Sequence, residues 1–142
     1  MEISFHFQKT ATLEQRKKLK LFITSIFKSE KKTVSNLSFV FCSDAYLLEI
    51  NRNFLQHNFF TDIITFDLSQ KNQKEIVGEI YISVDRVREN AITFQTKIQQ
   101  ELQRVMFHGV LHLIGYADKS KPQKAKMTQR ENLYLKKYAV ST

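Results

Sequence analysis

Two histidines and an aspartate have the residue types and the spacing of metal ligands. His108 and His112 are four residues apart in the stretch HGVLHLIGYAD, and Asp118 closes that stretch. On a helix, residues four apart share one face with Cβ atoms about 5–6 Å apart, so both imidazoles can reach one ion. Three protein ligands leave one tetrahedral position for water, as in catalytic zinc sites. The pattern therefore predicts a metal centre of His108, His112 and Asp118.

The segment that carries the two histidines is predicted to be a buried helix. Residues 97–114 have apolar side chains facing nearly every direction, and a helix that is apolar all round is buried. A buried imidazole without a partner is costly in free energy. Gly115 suits the left-handed backbone that ends a helix and lets the chain turn back toward the histidines. The alternative is two core histidines bonded to the backbone or to each other, with Asp118 an ordinary loop residue in solvent.

The residue types also limit the chemistry. Imidazole and carboxylate ligands without a thiolate favour zinc, and they admit nickel or manganese. Metalloproteases of the H-E-x-x-H pattern use the glutamate as general base, but Gly109 stands at that place and cannot accept a proton. This disfavours peptide hydrolysis and leaves a metal-activated water attacking a substrate such as a phosphodiester. Glu101 is either an outer partner that orients His108 or, the more ordinary interpretation, a solvated glutamate in the first helical turn.

Composition indicates one domain over residues 1–142, with 42% hydrophobic and 25% charged residues. The 22 Lys and Arg exceed the 14 Asp and Glu, for a formal charge of +8. This surplus favours nucleic acid as a partner, although a merely soluble basic surface explains it equally well. The single cysteine, Cys42, excludes an internal disulfide and favours a cytoplasmic location. Neither a signal peptide nor an apolar run of the ~18 residues that span a membrane is expected.

Hydrophobic periodicity predicts four strands and five helices. The strands are expected over residues 3–7, 37–42, 63–68 and 76–82. The helices are expected to end near residues 28, 55, 93, 114 and 137. Their predicted starts are two Thr-x-x-Gln capping boxes, two single caps and one proline: Thr12–Gln15, Asp44, Ser83, Thr96–Gln99 and Pro122. This order predicts an α+β domain with helices packed on one sheet, whose strand order the pattern does not reveal.

Three blocks of the sequence resemble one known family. HGVLHLIGY at 108–116 closely resembles the H-G-x-L-H-L-x-G-Y signature of the YbeY family of bacterial ribosomal RNA maturation factors. NRNFLQHNFFTDIITF at 51–66 is similar to the family's N-x-x-[YF]…T-D-V-[LI]-[ST]-F block. GEIYIS at 78–83 is similar to its G-D-I-x-I-S strand. The blocks follow the family's order and spacing across residues 47–138.

The resemblance implies a metal-dependent endoribonuclease specific for single-stranded RNA. Such an enzyme would act in maturation of the 3′ end of small-subunit ribosomal RNA and in ribosome quality control. It would fold as a small mixed sheet with helices around a metal cleft, with one zinc ion per chain on His108 and His112. Its partners would be single-stranded RNA, the rRNA precursor and the small ribosomal subunit. The alternative is a non-catalytic assembly factor that binds RNA or protein and keeps a structural metal.

Two positions depart from the family pattern. Asp118 stands where the family has a histidine, and a carboxylate ligand lowers the net charge at the metal from about +2 to +1, which acidifies bound water less. Leu55 stands where the family has an arginine, so a cation that could hold phosphate is missing there. Arg52 or His57 could replace it, although a plain surface role is the more ordinary interpretation of both.

Four residues just before the third predicted strand complete the sequence predictions. Thr61 and Asp62 match the family's T-D, and we expect them to be chiefly structural, forming an Asx-type turn. Phe59 and Phe60 precede them and could stack on RNA bases. A place in the core or in the cleft wall is the preferred prediction for these two phenylalanines.

Overall fold

Four strands and five helices make up the structure, a computed structural model that describes residues 2–141. The strands are β1 (Glu2–Phe7), β2 (Thr33–Cys42), β3 (Ile63–Asp67) and β4 (Glu75–Ser83). The helices are α1 (Arg16–Ser29), α2 (Asp44–Leu55), α3 (Val84–Thr93), α4 (Ile98–Ile114) and α5 (Lys121–Val140). The predicted α+β class is confirmed. Across the described residues, no helix combines the length and the apolar character needed to cross a membrane.

The sheet is mixed, with the strand order β1-β2-β4-β3. β1 and β4 both run parallel to β2, whereas β3 runs antiparallel to β4. The two central strands are rich in β-branched and aromatic residues, as expected of strands covered by helices. β3 lies at the sheet edge, where it borders the cleft described below.

Alternate residues of the strands point to two separate apolar clusters. The larger cluster joins β2 and β4 to α1 and α4, and it includes Phe39, Phe41, Ile80 and Ile82. The smaller cluster lies around α2 and includes Cys42, Leu47, Ile50 and Ile64. α4 is buried along most of its length, as predicted. The main core therefore supports the helix that carries both histidines.

The two predicted Thr-x-x-Gln capping boxes do not form. Gln15, which precedes α1, has a left-handed backbone with φ 56°, and neither it nor Lys97, which precedes α4, makes a side-chain cap. The Gln99 side chain joins two segments instead. Its Oε1 accepts from Glu14 N at 3.0 Å, and its Nε2 donates to Thr12 O at 2.7 Å. A partner distant in sequence has therefore replaced the local cap.

Serine hydroxyls cap α2 and α3. Ser43, rather than the predicted Asp44, caps α2 by accepting a hydrogen bond from Tyr46 N at 3.1 Å. Asp44 is the first residue of that helix, where its negative charge interacts favourably with the positive end of the helix dipole. Ser83 caps α3 as predicted, accepting from Arg86 N at 3.2 Å.

A glycine brings α4 close to the sheet. A Cβ atom at Gly109 would lie 2.8 Å from Ile80 Cδ1 and 3.0 Å from Ile63 Cδ1. Any larger side chain would therefore have to displace these two isoleucine side chains or the helix itself. This is the place of the glutamate in H-E-x-x-H proteases, and it faces packed isoleucines. The fold thus supports the argument against peptide hydrolysis that the residue type already gave.

Candidate metal centre

His108, His112 and Asp118 meet beside β3 at one side of an open cleft; we call these three residues the metal triad. The two Nε2 atoms are 3.0 Å apart, and each lies 3.3 Å from Asp118 Oδ2. A tetrahedral ion with ligand bonds of about 2.0–2.1 Å separates neighbouring donor atoms by about 3.3–3.4 Å. The triad therefore has the spacing to hold one metal ion.

The second nitrogen of each imidazole is hydrogen bonded away from the triad. His108 Nδ1 lies 2.7 Å from Glu131 Oε2, and His112 Nδ1 lies 3.0 Å from the backbone oxygen of Tyr116. Because a carbonyl oxygen only accepts and a carboxylate does so when ionised, we assign the proton to Nδ1 in both rings. Both Nε2 atoms then direct lone pairs toward the Asp118 carboxylate. Three acceptors at this distance fit a shared cation, and the Glu131–His108 pair resembles the carboxylate–histidine pairs of zinc sites.

The electrostatic surroundings also favour a cation. Burial alone lowers the pKa of His108, but the hydrogen bond and charge of Glu131, joined by the charges of Asp118 and Asp62, raise it above its ordinary value. The direction of this shift reports a negative potential at the ring. A metal ion responds to the same potential as a proton does.

Two local features direct Asp118 toward the histidines. Gly115 ends α4 with φ 124°, a conformation that L side chains rarely adopt, and the chain turns back there. A capping box then opens α5. Gln123 Oε1 accepts from the backbone N–H groups of Lys119 and Ser120, both at 3.0 Å, and Ser120 Oγ accepts from Gln123 N at 3.2 Å. The residue after Asp118 is therefore held by α5, and Pro122 lies in its first turn as predicted.

Buried carboxylates lie behind His108. Glu101 is 4% exposed and Glu131 is 7% exposed, so the interpretation of Glu101 as a solvated first-turn glutamate is wrong. Arg104 Nε lies 3.9 Å from Glu101, and Arg104 Nη1 lies 3.4 Å from Glu131. Burial raises the pKa of Glu101, although Arg104 opposes that shift. The carboxylate that orients His108 is that of Glu131. This role could not be predicted from the sequence, because a lone glutamate among the charged residues of α5 carries no sign of burial.

A second network holds the segment that orients His112. The hydroxyls of Tyr116 and Tyr134 donate to the Glu30 carboxylate at 3.0 Å and 2.9 Å. Glu30 follows the last residue of α1. The Tyr116 backbone, which accepts the His112 proton, is therefore tied to two other helices. In the sequence, Tyr116 is recognisable only as part of a motif, and no local pattern marks Glu30 as its partner.

The cleft beside the triad has a volume of about 670 Å³, within the range of ligand pockets. The end of α2 and the segment that joins it to β3 also line this cleft. Leu55, His57 and Phe59 line the cleft there, and we call these three residues the loop wall. Lys119 lines the cleft next to the triad. Cationic, aromatic and metal-binding groups therefore share one open site.

The structure separates the two candidates for a replacement cation. His57 lines the cleft and stacks on Phe59, with ring centroids 5.1 Å apart and an interplanar angle of 21°. Arg52 is instead a loop contact, because its Nε donates to Asn58 Oδ1. Leu55 lines the cleft, so the apolar side chain does occupy the site wall.

The remaining loop residues differ partly from the predictions. Phe59 lines the cleft, as predicted, but both Phe59 and Phe60 are exposed, so a core position is wrong for both. Thr61 Oγ1 donates to Ile63 O at 3.3 Å, and Asp62 O accepts from Ser83 N at 2.9 Å, which extends the pairing with β4 by one residue before β3. Asp62 also lines the cleft, and burial raises the pKa of its carboxyl, although nearby His108 lowers it.

Fold and site together define a small α+β protein with an open candidate metal centre at a sheet edge. The profile of the family described as Endoribonuclease YbeY matches residues 3–139, and the chain belongs to this family. It is 46% identical over 123 residues to Endoribonuclease YbeY of Cytophaga hutchinsonii, covering 87% of this chain and 85% of that one. It is 42% identical to the Flavobacterium psychrophilum protein of the same name, covering 97% of each.

A solved structure agrees with the fold. A Thermotoga maritima protein, determined in solution, is similar with a TM-score of 0.66 and 27% sequence identity. The match covers 96% of this chain and 89% of that one. The arrangement of strands and helices described above is thus shared with a protein whose structure was determined experimentally.

Proposed function

We propose that this protein is a metal-dependent endoribonuclease that cuts single-stranded RNA in the cleft beside the metal triad. The observation that carries the proposal is the triangle of two Nε2 atoms and one carboxylate oxygen, 3.0–3.3 Å on each side, at an open cleft. The relatives named Endoribonuclease YbeY support the same activity.

In this proposal His108, His112 and Asp118 hold one zinc ion per chain. Two imidazoles and one carboxylate suit zinc, and they admit nickel or manganese. When bound, such an ion supplies Lewis-acid activation of a water molecule and of a phosphodiester oxygen. The protein's own part is to fix the donor atoms: Glu131 holds the His108 ring, and the Tyr116 backbone holds the His112 ring.

Other cleft residues have roles that follow from their charge. The Lys119 ammonium offers a cation for a phosphate oxygen near the triad, which the leucine at position 55 cannot provide. Asp62 lies in the same cleft with a raised pKa. A carboxylate that lines a reaction cleft is a group that can accept a proton from a reacting group within hydrogen-bond reach. We therefore assign Asp62 as the candidate proton acceptor and Lys119 as the candidate phosphate contact.

The cellular role that we propose is maturation of the 3′ end of small-subunit ribosomal RNA, together with ribosome quality control. The partners would be the rRNA precursor and the small ribosomal subunit, in the cytoplasm. Family membership supports this role. The formal charge of +8 also supports it, because Lys and Arg in excess attract the phosphate backbone.

Cleavage of single-stranded RNA by nuclease-free protein, loaded with one zinc ion per chain, tests the proposal. The parent protein should cut single-stranded RNA and leave a duplex of the same sequence intact. The Asp118→Ala variant should lose cleavage, whereas Glu89→Ala, which removes an exposed carboxylate on α3, should keep it. Equal cleavage by parent and Asp118→Ala would remove Asp118 from the mechanism. RNA binding without cleavage by any of the proteins would favour the non-catalytic assembly factor.

A further inference from the structure

Exposed aromatic rings face the same cleft as the metal triad. Phe59 keeps 55% of its surface exposed, although its ring stacks on His57 with centroids 5.1 Å apart. Both side chains line the cleft together with Leu55. The three side chains of the loop wall are apolar or aromatic, whereas the triad and Lys119 bring metal-binding and cationic groups to the same lining. This combination resembles the two parts of a nucleotide, a flat apolar base and a charged phosphate.

The loop that carries these rings is held by the protein before any ligand binds. Asn51 is 1% exposed, and its side-chain Nδ2 donates to the backbone oxygen of Phe59 at 2.8 Å. The backbone N–H of His57 donates to Asn51 O at 3.0 Å. Arg52 adds a side-chain bond to Asn58. Asn51 thus holds the backbone of both ring-bearing residues. Binding of a ligand to a preorganised surface of this kind loses less conformational entropy.

Stacking suits a nucleobase because every base has a π-face, so the contact tolerates any sequence. A base inside a duplex is already stacked and paired, which leaves its face unavailable. A platform of this kind beside a phosphate-binding centre therefore selects unpaired nucleotides. The formal charge of +8 adds attraction for the RNA backbone without sequence preference.

We propose that His57 and Phe59 form a stacking platform for one base of a single-stranded RNA whose phosphate lies at the metal triad. The platform gives the enzyme its preference for single strands, and it rests on the proposed function. The site takes a base of any identity, since the loop wall presents ring faces rather than a donor and acceptor pattern.

Substitutions of Phe59 test the platform by cleavage kinetics. Phe59→Ala should raise KM for single-stranded RNA about 5- to 150-fold, the factor that corresponds to about 1–3 kcal/mol for one stacked base. Zinc content and melting temperature should stay those of the parent, because the backbone bond from Asn51 remains. Phe59→Tyr should restore KM, whereas Phe59→Leu should not. The matched control is Phe94→Ala, which removes a ring that is 64% exposed at the end of α3. An unchanged KM in Phe59→Ala would overturn the proposal.

An abasic nucleotide locates the base that stacks. RNAs that lack one base at each position around the cleaved bond are compared with the parent protein and with Phe59→Ala. At one position, loss of the base should raise the KM of the parent protein about as much as Phe59→Ala raises KM for intact RNA. Combining the abasic RNA with Phe59→Ala should then raise KM no further. Additive losses at every position would show that Phe59 and the bases act independently.

Fluorescence separates failure of the platform from failure of the proposed function. The sequence contains no tryptophan, so Phe59→Trp carries the only indole. Rapid mixing with single-stranded RNA should quench this fluorescence before cleavage, whereas a duplex of the same sequence should not, and Phe94→Trp should not respond. Quenching without any cleavage would support the platform and contradict the endoribonuclease. Cleavage without quenching would contradict the platform and leave the endoribonuclease standing.

Discussion

The metal triad and the loop wall face the same cleft, but they are stabilised in different ways. The triad depends on side chains buried behind it, because Glu131, a residue that is 7% exposed, holds His108 through its carboxylate. The loop wall depends on a backbone tie, in which buried Asn51 holds the carbonyl of Phe59 and leaves the ring exposed. The contacts behind the triad therefore hold individual metal-donor atoms in place, whereas the contacts behind the loop wall hold an exposed binding surface in place.

This difference separates chemistry from substrate binding. A change at the triad or at its buried partners should alter metal content and kcat, since the donor atoms move or lose charge. A change at the loop wall should alter KM and leave the metal in place. The predictions below test that separation, and a variant that affects both sides equally would contradict it.

The largest effect is expected for His112→Ala. Removing one of three protein ligands should reduce zinc from one ion per chain to none. The cleavage rate should fall by more than about 100-fold, because loss of a residue that only hydrogen bonds to a metal ligand already costs about 10- to 100-fold. Elemental analysis and RNA cleavage measure the two effects. His6→Ala, which removes an exposed histidine from β1, is the control. A variant that keeps one ion per chain would exclude His112 as a ligand.

Thermal unfolding gives a second measurement on the same pair of variants. Metal that binds only the folded state stabilises it by about 2.7 kcal/mol when its free concentration is 100 times Kd. Chelation should therefore lower the melting temperature of the parent and of His6→Ala by about 5–10 °C. His112→Ala should show no such change. Equal melting temperatures of the parent with and without chelator would contradict coupling between metal and fold.

A smaller effect on the same side is expected for Glu131→Gln. The neutral amide can still accept from His108 Nδ1, but it removes the negative charge that makes the ring a stronger ligand. Zinc affinity should fall about 10- to 100-fold with KM for RNA unchanged. Titration with a competing chelator measures the affinity, and Glu49→Gln on the exposed face of α2 is the control. Parent affinity in Glu131→Gln would mean that the carboxylate only fills space.

The fold could be predicted to the level of its elements, since periodicity is a local property of the sequence. All four strands and all five helices were found, although β2 begins at Thr33, four residues before the predicted start. Strand order could not be predicted because pairing depends on distant segments. The capping boxes were wrong for the same reason: the Gln99 side chain binds Thr12 and Glu14 rather than its own helix.

The site shows the same division between local and distant information. The members of the triad lie within eleven residues, so their spacing on a helix and a turn could be read from the sequence. Glu131 lies on another helix, and no local pattern links it to His108. The predicted core or cleft-wall position holds for Phe59, which lines the cleft, but it is wrong for Phe60, because hydrophobic residues need not be inside and a surface always keeps much apolar area.

On the other side of the cleft, Asn51→Ala should weaken RNA binding while leaving the triad intact. Loss of the amide removes this partly buried hydrogen bond to the Phe59 carbonyl, and a typical intramolecular hydrogen bond contributes about 0.5–1.5 kcal/mol of folding stability. The freed loop should raise KM, by less than Phe59→Ala does, because the ring itself remains. Zinc content should stay at one ion per chain. A loss of zinc in this variant would show that the two sides of the cleft are not independent.

Among changes to the triad and its buried partners, the smallest effect on metal binding is expected for Asp118→His, which replaces the only anionic ligand of the triad. Three neutral imidazoles raise the net charge of a zinc centre from about +1 to +2, so a bound water should ionise at lower pH. Zinc should remain at one ion per chain. The zinc affinity should change by less than about tenfold, which is the smallest change expected for Glu131→Gln. The low-pH limb of the rate profile should move to lower pH, and KM should be that of the parent because the loop wall is untouched.

Loss of zinc would mean that the turn after Gly115 places a carboxylate correctly but not an imidazole. A raised KM would mean that Asp118 also contacts the RNA.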